Sequence, residues 1–179
     1  MRTEIRIAGS GGQGVITLGM ILARAAVLHD RTNAVLTEDY GPEKTGGWSR
    51  ADVVVSRDEI GYPLVEHPDV LVALSQDGYL RFRKSPKPGA LVLIDPDMVR
   101  PTEDEDAAVP LRIPARREGE AMGARVLANL FMVGAVVELT RVVTPESALK
   151  AIAQSTRGDA AQAKAAFERG RVLARGVTA

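Results

Sequence analysis

The residues with the clearest chemical potential in this 179-residue chain are glycines near its start. Gly9, Gly11 and Gly14 satisfy Gly-x-Gly-x-x-Gly, with Gly12 and Gln13 inside the run. Glycines let a backbone approach an anion closely, and a helix N-terminus presents unpaired N–H groups and a positive dipole end. The same spacing also suits a tight strand-to-helix turn with no ligand, so the residues alone leave both readings open. A dinucleotide fingerprint further requires an acidic residue about 20 positions on, and Glu38 and Asp39 stand slightly late for it.

A second stretch, Tyr40-Gly41-Pro42-Glu43-Lys44-Thr45-Gly46-Gly47-Trp48-Ser49, mixes glycines, charges and the only Trp of the chain. No regular element favours that mix, so Glu38 to Trp48 reads as a loop. Two readings stand beside each other: a loop that docks on a partner or closes over a ligand, and a surface loop with an incidental Trp. Asn129 is the one amide in a largely apolar run from Val126 to Leu139. A buried amide must find hydrogen-bonding partners, which makes it either a core anchor or a site residue. His29 and His67 have no metal-ligand spacing to each other or to carboxylates. No acid–base pair, nucleophile triad or metal cluster emerges, so no catalytic residue is assigned.

The elements that must hold these residues follow from periodicity. Ile5, Ile7 and Ala8 make a short strand before the glycines, and Val15, Leu18, Leu22 and Ala25 recur at helical spacing behind them. Asn33 to Thr37, Ala51 to Ser56, Val70 to Leu74 and Ala90 to Ile94 are strand-like, with a helix over Gln76 to Arg83. Strand–loop–helix–strand order points to a parallel sheet, and apolar strands without alternation point to cover on both faces. Asp95 to Arg117 holds four prolines and reads as an irregular crossover, with an edge strand around Val109 to Ile113. Glu120 to Arg141 reads as one long buried helix. Thr144-Pro145-Glu146 opens another, and a last Ala-rich helix ends near Arg175. The expected fold is a single α/β domain over residues 1–179. It would be a three-layer α/β/α structure with a mostly parallel, mixed sheet and a Rossmann-like start.

Composition narrows the function classes. Lys+Arg and Asp+Glu are both 23, which argues against a nucleic-acid-binding protein. With no Cys, disulfides, iron–sulfur ligation and thiolate metal sites are excluded. No apolar run approaches the roughly 20 residues that span a bilayer, and the start shows no signal-peptide pattern. A cytoplasmic protein is expected.

Taken together, the motifs resemble the gamma subunit, or gamma domain, of the 2-oxoacid:ferredoxin oxidoreductases, the pyruvate, 2-oxoglutarate, 2-oxoisovalerate and indolepyruvate group. The resemblance rests on Ile7 to Val15, on Tyr40-Gly41-Pro42-Glu43 with Gly46-Gly47-x-Ser49, and on Val53 to Ser56. Asp69 to Gln76, Asn129 with Gly134, and Ala165-x-Phe167-x-x-Gly170 extend it over residues 4 to 175. It implies a chain inactive alone. Within a complex the reaction converts a 2-oxoacid, coenzyme A and oxidised ferredoxin to acyl-CoA, CO2 and reduced ferredoxin. It also implies that thiamine diphosphate, Mg and iron–sulfur clusters lie on partner subunits of alpha, beta and delta type. Gly9, Gly11, Gly12, Gln13 and Gly14 then belong to a cofactor-binding face that shapes the coenzyme A region. Tyr40, Gly41, Pro42, Glu43, Lys44, Gly46, Gly47 and Ser49 form a substrate or partner loop, in which Lys44 suits an anionic group. One departure stands out: the family carries Arg before the Gly-Gly pair, where this chain has Thr45, and Trp48 replaces a small residue. That departure implies a divergent paralogue with a different 2-oxoacid, such as an aromatic or branched one. The competing reading is a free-standing dinucleotide-binding protein using Gly9, Gly11, Gly14 and Glu38. A third reading is an orphan chain that pairs with itself, as a homodimer, through faces meant for partners.

Overall fold

The structure is a computed structural model that describes residues 2–41, 47–102, 108–155 and 158–177. One six-stranded sheet organises them, in the order β2-β3-β1-β4-β5-β6. The strands are β1 (Arg2–Ser10), β2 (Asn33–Tyr40), β3 (Trp48–Ser56), β4 (Val70–Ala73), β5 (Leu91–Ile94) and β6 (Leu111–Arg112). β1, β4, β5 and β6 run parallel, whereas β3 pairs antiparallel with both β1 and β2. The mixed α/β architecture expected from the sequence is therefore present, with a parallel half and an antiparallel half.

Side-chain alternation gives the sheet two different faces. Ile5, Ile7, Val53, Val55, Val70, Val72 and Leu93 face the larger core, under α1 (Val15–Arg24), α4 (Ala128–Thr140), α5 (Pro145–Ser155) and α6 (Ala160–Val177). Leu71, Ala73, Val92 and Ile94 face a smaller core closed by Tyr79 and Phe82 of α2 (Gln76–Phe82). On that second face Arg6 and Asp52 are cross-strand partners and form a buried two-pronged ion pair, both contacts 2.8 Å. The Arg6 guanidinium also lies 4.9 Å from the Phe82 ring centre.

Three expectations change. Glu38, Asp39, Tyr40 and Trp48 are not loop but the paired ends of a β2–β3 hairpin. β2 is the sheet edge, where charged residues on a strand are tolerated. The helix expected over Glu120 to Arg141 is broken. It comprises α3 (Ala115–Ala121), a turn in which Gly123 takes φ +66°, a 3-10 turn over Arg125–Leu127, and α4. Positive φ cannot continue a right-handed helix, so the break sits where Gly123 is. Finally, the strand after α1 does not return beside β1: β3 lies between them.

α4 is buried from Asn129 to Val137, and its backbone comes close to that of α6 at Gly134 and Gly170. A Cβ on Gly134 would come within 2.1 Å of the Phe167 carbonyl oxygen, and one on Gly170 within 2.0 Å of that of Phe131. Helix starts follow the sequence signals. Ser75 Oγ accepts the Gly78 N–H at 3.1 Å, and Thr144 Oγ1 accepts that of Ser147 at 3.2 Å. No helix among the described residues is long and apolar enough to cross a membrane.

Candidate functional site

The glycine loop occupies the C-terminal end of β1, the edge of a parallel sheet at which α/β proteins bind ligands. Its turn closes with the Gln13 N–H on the Ser10 carbonyl at 3.1 Å. The Gln13 side chain then ties the loop down twice. Its Oε1 accepts the Ser10 N–H at 2.6 Å, and its Nε2 donates to the Leu74 carbonyl beyond β4 at 2.7 Å. Gln13 is thus a clamp between two strand ends.

Gly14 carries the strictest requirement. It begins α1 in the left-handed region, φ +76°, and a Cβ there would lie 2.4 Å from Asn129 Nδ2. No side chain caps α1 and its first turn holds no acid, so the positive end of the helix lacks an internal anion. The loop is also joined to the hairpin: the Gly11 N–H donates to the Gly47 carbonyl at 2.8 Å. The two motifs are therefore neighbours in the fold.

Asn129 sits at the start of α4, only 7% exposed, between two clefts. The first, about 460 Å³, is lined by Ser10, Gly14, Thr17, Tyr40 and Ser49. The second, about 360 Å³, is lined by Gln13, Leu74, Asp95, Met98 and Arg116. Val126, 84% exposed, borders both. Asp95 follows directly on β5 and is buried. It accepts backbone N–H groups of Asp97 at 3.0 Å and Arg116 at 2.7 Å. Burial pushes its carboxyl pKa up despite those bonds. Asp95 and Arg116 were not singled out from sequence. The available signal was an acid at the C-terminal end of an apolar strand, where ligand crevices form.

The hairpin residues divide. Tyr40 is exposed and donates its hydroxyl to Glu38, which pushes the phenol pKa up. Ser49 is buried in the wall of the larger cleft. Trp48 is half-buried at the start of β3, and the Arg81 guanidinium lies 4.7 Å from its ring centre. Gly41 and Gly47 close the described ends of the hairpin, while Pro42, Glu43, Lys44, Thr45 and Gly46 lie outside the described residues.

The dinucleotide reading loses its geometry. Its acidic residue belongs on a strand next to the first, but Glu38 and Asp39 are on the sheet edge, two strands away. Asp39 pairs with Arg50 at 3.1 Å, and Glu38 accepts the Tyr40 hydroxyl. His67 Nδ1 lies 3.0 Å from the Ser85 carbonyl, and His29 Nε2 is buried without a hydrogen-bond partner among the described residues. Among the described residues, no group of His, Asp and Glu is arranged to hold a metal.

Comparison with known proteins defines the class. Residues 4–173 match the family model described as pyruvate ferredoxin/flavodoxin oxidoreductase. The 2-oxoglutarate synthase subunit KorC of Methanothermobacter marburgensis is 45% identical over 97% of each chain. The ketoisovalerate oxidoreductase subunit VorA of the same organism is 36% identical over 76% of this chain and 28% of its own. Among solved structures, the gamma subunit of a keto/oxoacid ferredoxin oxidoreductase from Geobacter sulfurreducens superposes with a TM-score of 0.85. Its identity is 31%, covering 97% of this chain and 99% of that one. The chain belongs to the pyruvate ferredoxin/flavodoxin oxidoreductase family. Within it, the extent of these matches is that of a gamma subunit rather than of a whole enzyme.

Proposed function

We propose that this chain is the gamma subunit of a 2-oxoglutarate:ferredoxin oxidoreductase. The complex would convert 2-oxoglutarate and coenzyme A to succinyl-CoA and CO2 while reducing ferredoxin, in the cytoplasm. The observation that carries this reading is 45% identity to a 2-oxoglutarate synthase subunit along 97% of both chains. Similarity to the ketoisovalerate subunit is lower and shorter. The aromatic or branched 2-oxoacid suggested by Thr45 and Trp48 therefore gives way to 2-oxoglutarate.

The residues here do not suit the redox groups. The chain has no Cys for iron–sulfur ligation, and Asp95 and Asp39 near the clefts are committed to backbone N–H groups and to Arg50. Thiamine diphosphate, Mg and the clusters belong on the alpha-, beta- and delta-type partners, where they supply decarboxylation and electron transfer. The work of this chain is to bind and orient. The uncapped N-terminus of α1 offers N–H groups to a phosphate of coenzyme A. Gln13 holds the glycine loop in place, and Asn129 presents its amide where the two clefts meet. Gly47, at a described end of the hairpin, is tied to the glycine loop through the Gly11 N–H, so this corner of the chain is the proposed meeting point with the partner subunits.

The test is an anoxic purification of the tagged chain from its host, assayed for dye reduction with a panel of 2-oxoacids. The proposal expects co-purifying thiamine and iron–sulfur subunits, and coenzyme A-dependent activity highest with 2-oxoglutarate. A chain recovered alone, or a complex preferring 2-oxoisovalerate, would overturn it.

A further inference from the structure

A third cleft, of about 520 Å³, opens at the end of the sheet away from the glycine loop. It is lined by Thr3 at the start of β1, by Ser56 and Arg57 at the end of β3, and by Arg31 and Arg141 from two turns. Thr3 and Ser10 are seven residues apart on β1, roughly 23 Å at about 3.3 Å per residue, so the two ends are separate sites.

The backbone around this cleft is irregular in three places. The chain enters it through a π-helical turn, Ala25–His29, in which the Asp30 N–H reaches the Ala25 carbonyl at 3.0 Å. Turns of this kind recur at functional positions. Next comes Arg31 with φ +55°, and across the cleft Arg141 ends α4 with φ +54°. These are the only non-glycine residues with positive φ among those described. Glycine or asparagine fills such positions with less strain, and glycine is the usual residue after a helix end. Two arginines that accept the strain, and that line the same cleft, indicate that their side chains serve something other than the turn.

The charges agree. Three guanidinium groups line the cleft against one carboxylate, that of Asp30. Asp30 is committed elsewhere: it accepts the Thr144 N–H at 2.7 Å and the Thr144 and Ser147 hydroxyls at 2.8 and 2.6 Å, capping α5. Arg141 pairs with Glu138 at 2.8 Å. Arg31 and Arg57 make no ion pair with a described residue, so two charged forks remain for a ligand. Guanidinium groups match phosphate and carboxylate oxygens in planar, two-pronged geometry.

We propose that the Arg31–Arg57–Arg141 cleft is a second small-molecule site, which binds a multiply charged oxyanion at the sheet end opposite the glycine loop. Phosphate esters and polycarboxylates share this chemistry, and pyrophosphate and citrate serve as the respective probes. The test is isothermal titration of the full-length chain with each anion at constant ionic strength maintained with sodium chloride. At least one probe is expected to bind saturably, and the tighter one assigns the class. Arg57→Gln, which leaves the backbone untouched, is expected to weaken binding at least fivefold. Arg31→Gly is expected to weaken it as much while raising Tm by about 2–4 °C, because glycine relieves the strain. That opposite movement of affinity and stability separates a ligand-binding arginine from a structural one. Absence of binding beyond the chloride control would overturn the proposal. So would unchanged affinity in both variants, as binding at the glycine loop would give, or a lower Tm in Arg31→Gly.

Discussion

Gly14→Ala is the most informative single change at the glycine loop, because its cost divides into two parts that can be measured separately. The first is backbone. At φ +76° an L side chain meets the following carbonyl, at about 1–2 kcal/mol, partly offset by roughly 0.4–1 kcal/mol from a stiffer unfolded chain. The second is steric. The new methyl would stand 2.4 Å from Asn129 Nδ2 and 2.9 Å from its Cγ, so the amide must move within a packed helix start. Overpacking of this kind costs about 1–3 kcal/mol. The sum is roughly 2–4 kcal/mol. In an Asn129→Ala background the two clashing atoms are gone and only the Cβ at 3.1 Å remains, so the cost of Gly14→Ala falls to about 1 kcal/mol. Urea denaturation of the four proteins gives the coupling, expected at about 1–3 kcal/mol. Additivity within about 0.5 kcal/mol would refute the claim that Gly14 is glycine to admit Asn129.

Three further outcomes follow from the fold. Gly170→Ala places a methyl 2.0 Å from the Phe131 carbonyl oxygen, a backbone atom that cannot swing aside, so α4 and α6 must separate. A loss of at least 3 kcal/mol in denaturant stability is expected, and a loss below 1 would contradict the close crossing. Arg6→Met leaves the buried Asp52 carboxylate with Arg50 alone, 3.6 Å away, and is expected to cost about 3 kcal/mol, the low end for a broken buried pair. The double change with Asp52→Leu should recover most of that, as thermal unfolding of the three variants would show. For Glu138, burial pushes the pKa up, but the Arg171 hydrogen bond and the charges of Arg171, Arg141 and Arg175 outweigh it, and the net shift is down. A lowered native pKa makes its stabilisation full above the unfolded value of about 4.3 and lost as pH falls through the native value. Glu138→Gln should therefore lower stability at pH 7 and flatten its decline below about pH 4.5, checked by denaturation across that range.

The sequence made legible what local signals encode. The strand before Gly9, the helix after Gly14, the helix from Gln76, the Thr144 helix start and the buried β4 and β5 all stand where periodicity and capping put them. What it hid was set by pairing at a distance. Glu38, Asp39 and Trp48 look like loop residues, yet they extend strands because β2 is an edge whose exposed side tolerates charge. β3 inserts beside β1, an order that no local pattern reports and that removes the dinucleotide geometry. The break between α3 and α4 was concealed by apolar residues of helical spacing on both sides of Gly123. Of the site, the glycine loop, Ser49 and Asn129 were readable. Asp95 and Arg116 were not, because they meet that loop only once β1, β4 and β5 lie side by side.

The most direct measurement is the coenzyme A dependence of the anoxically assembled oxidoreductase carrying Asn129→Ala. If the face around Gln13 and Asn129 shapes the coenzyme A region, loss of one amide contact should raise the coenzyme A KM by about tenfold, or about 1.4 kcal/mol, with the 2-oxoglutarate KM unchanged. An unchanged coenzyme A KM in a complex that still assembles would contradict the account.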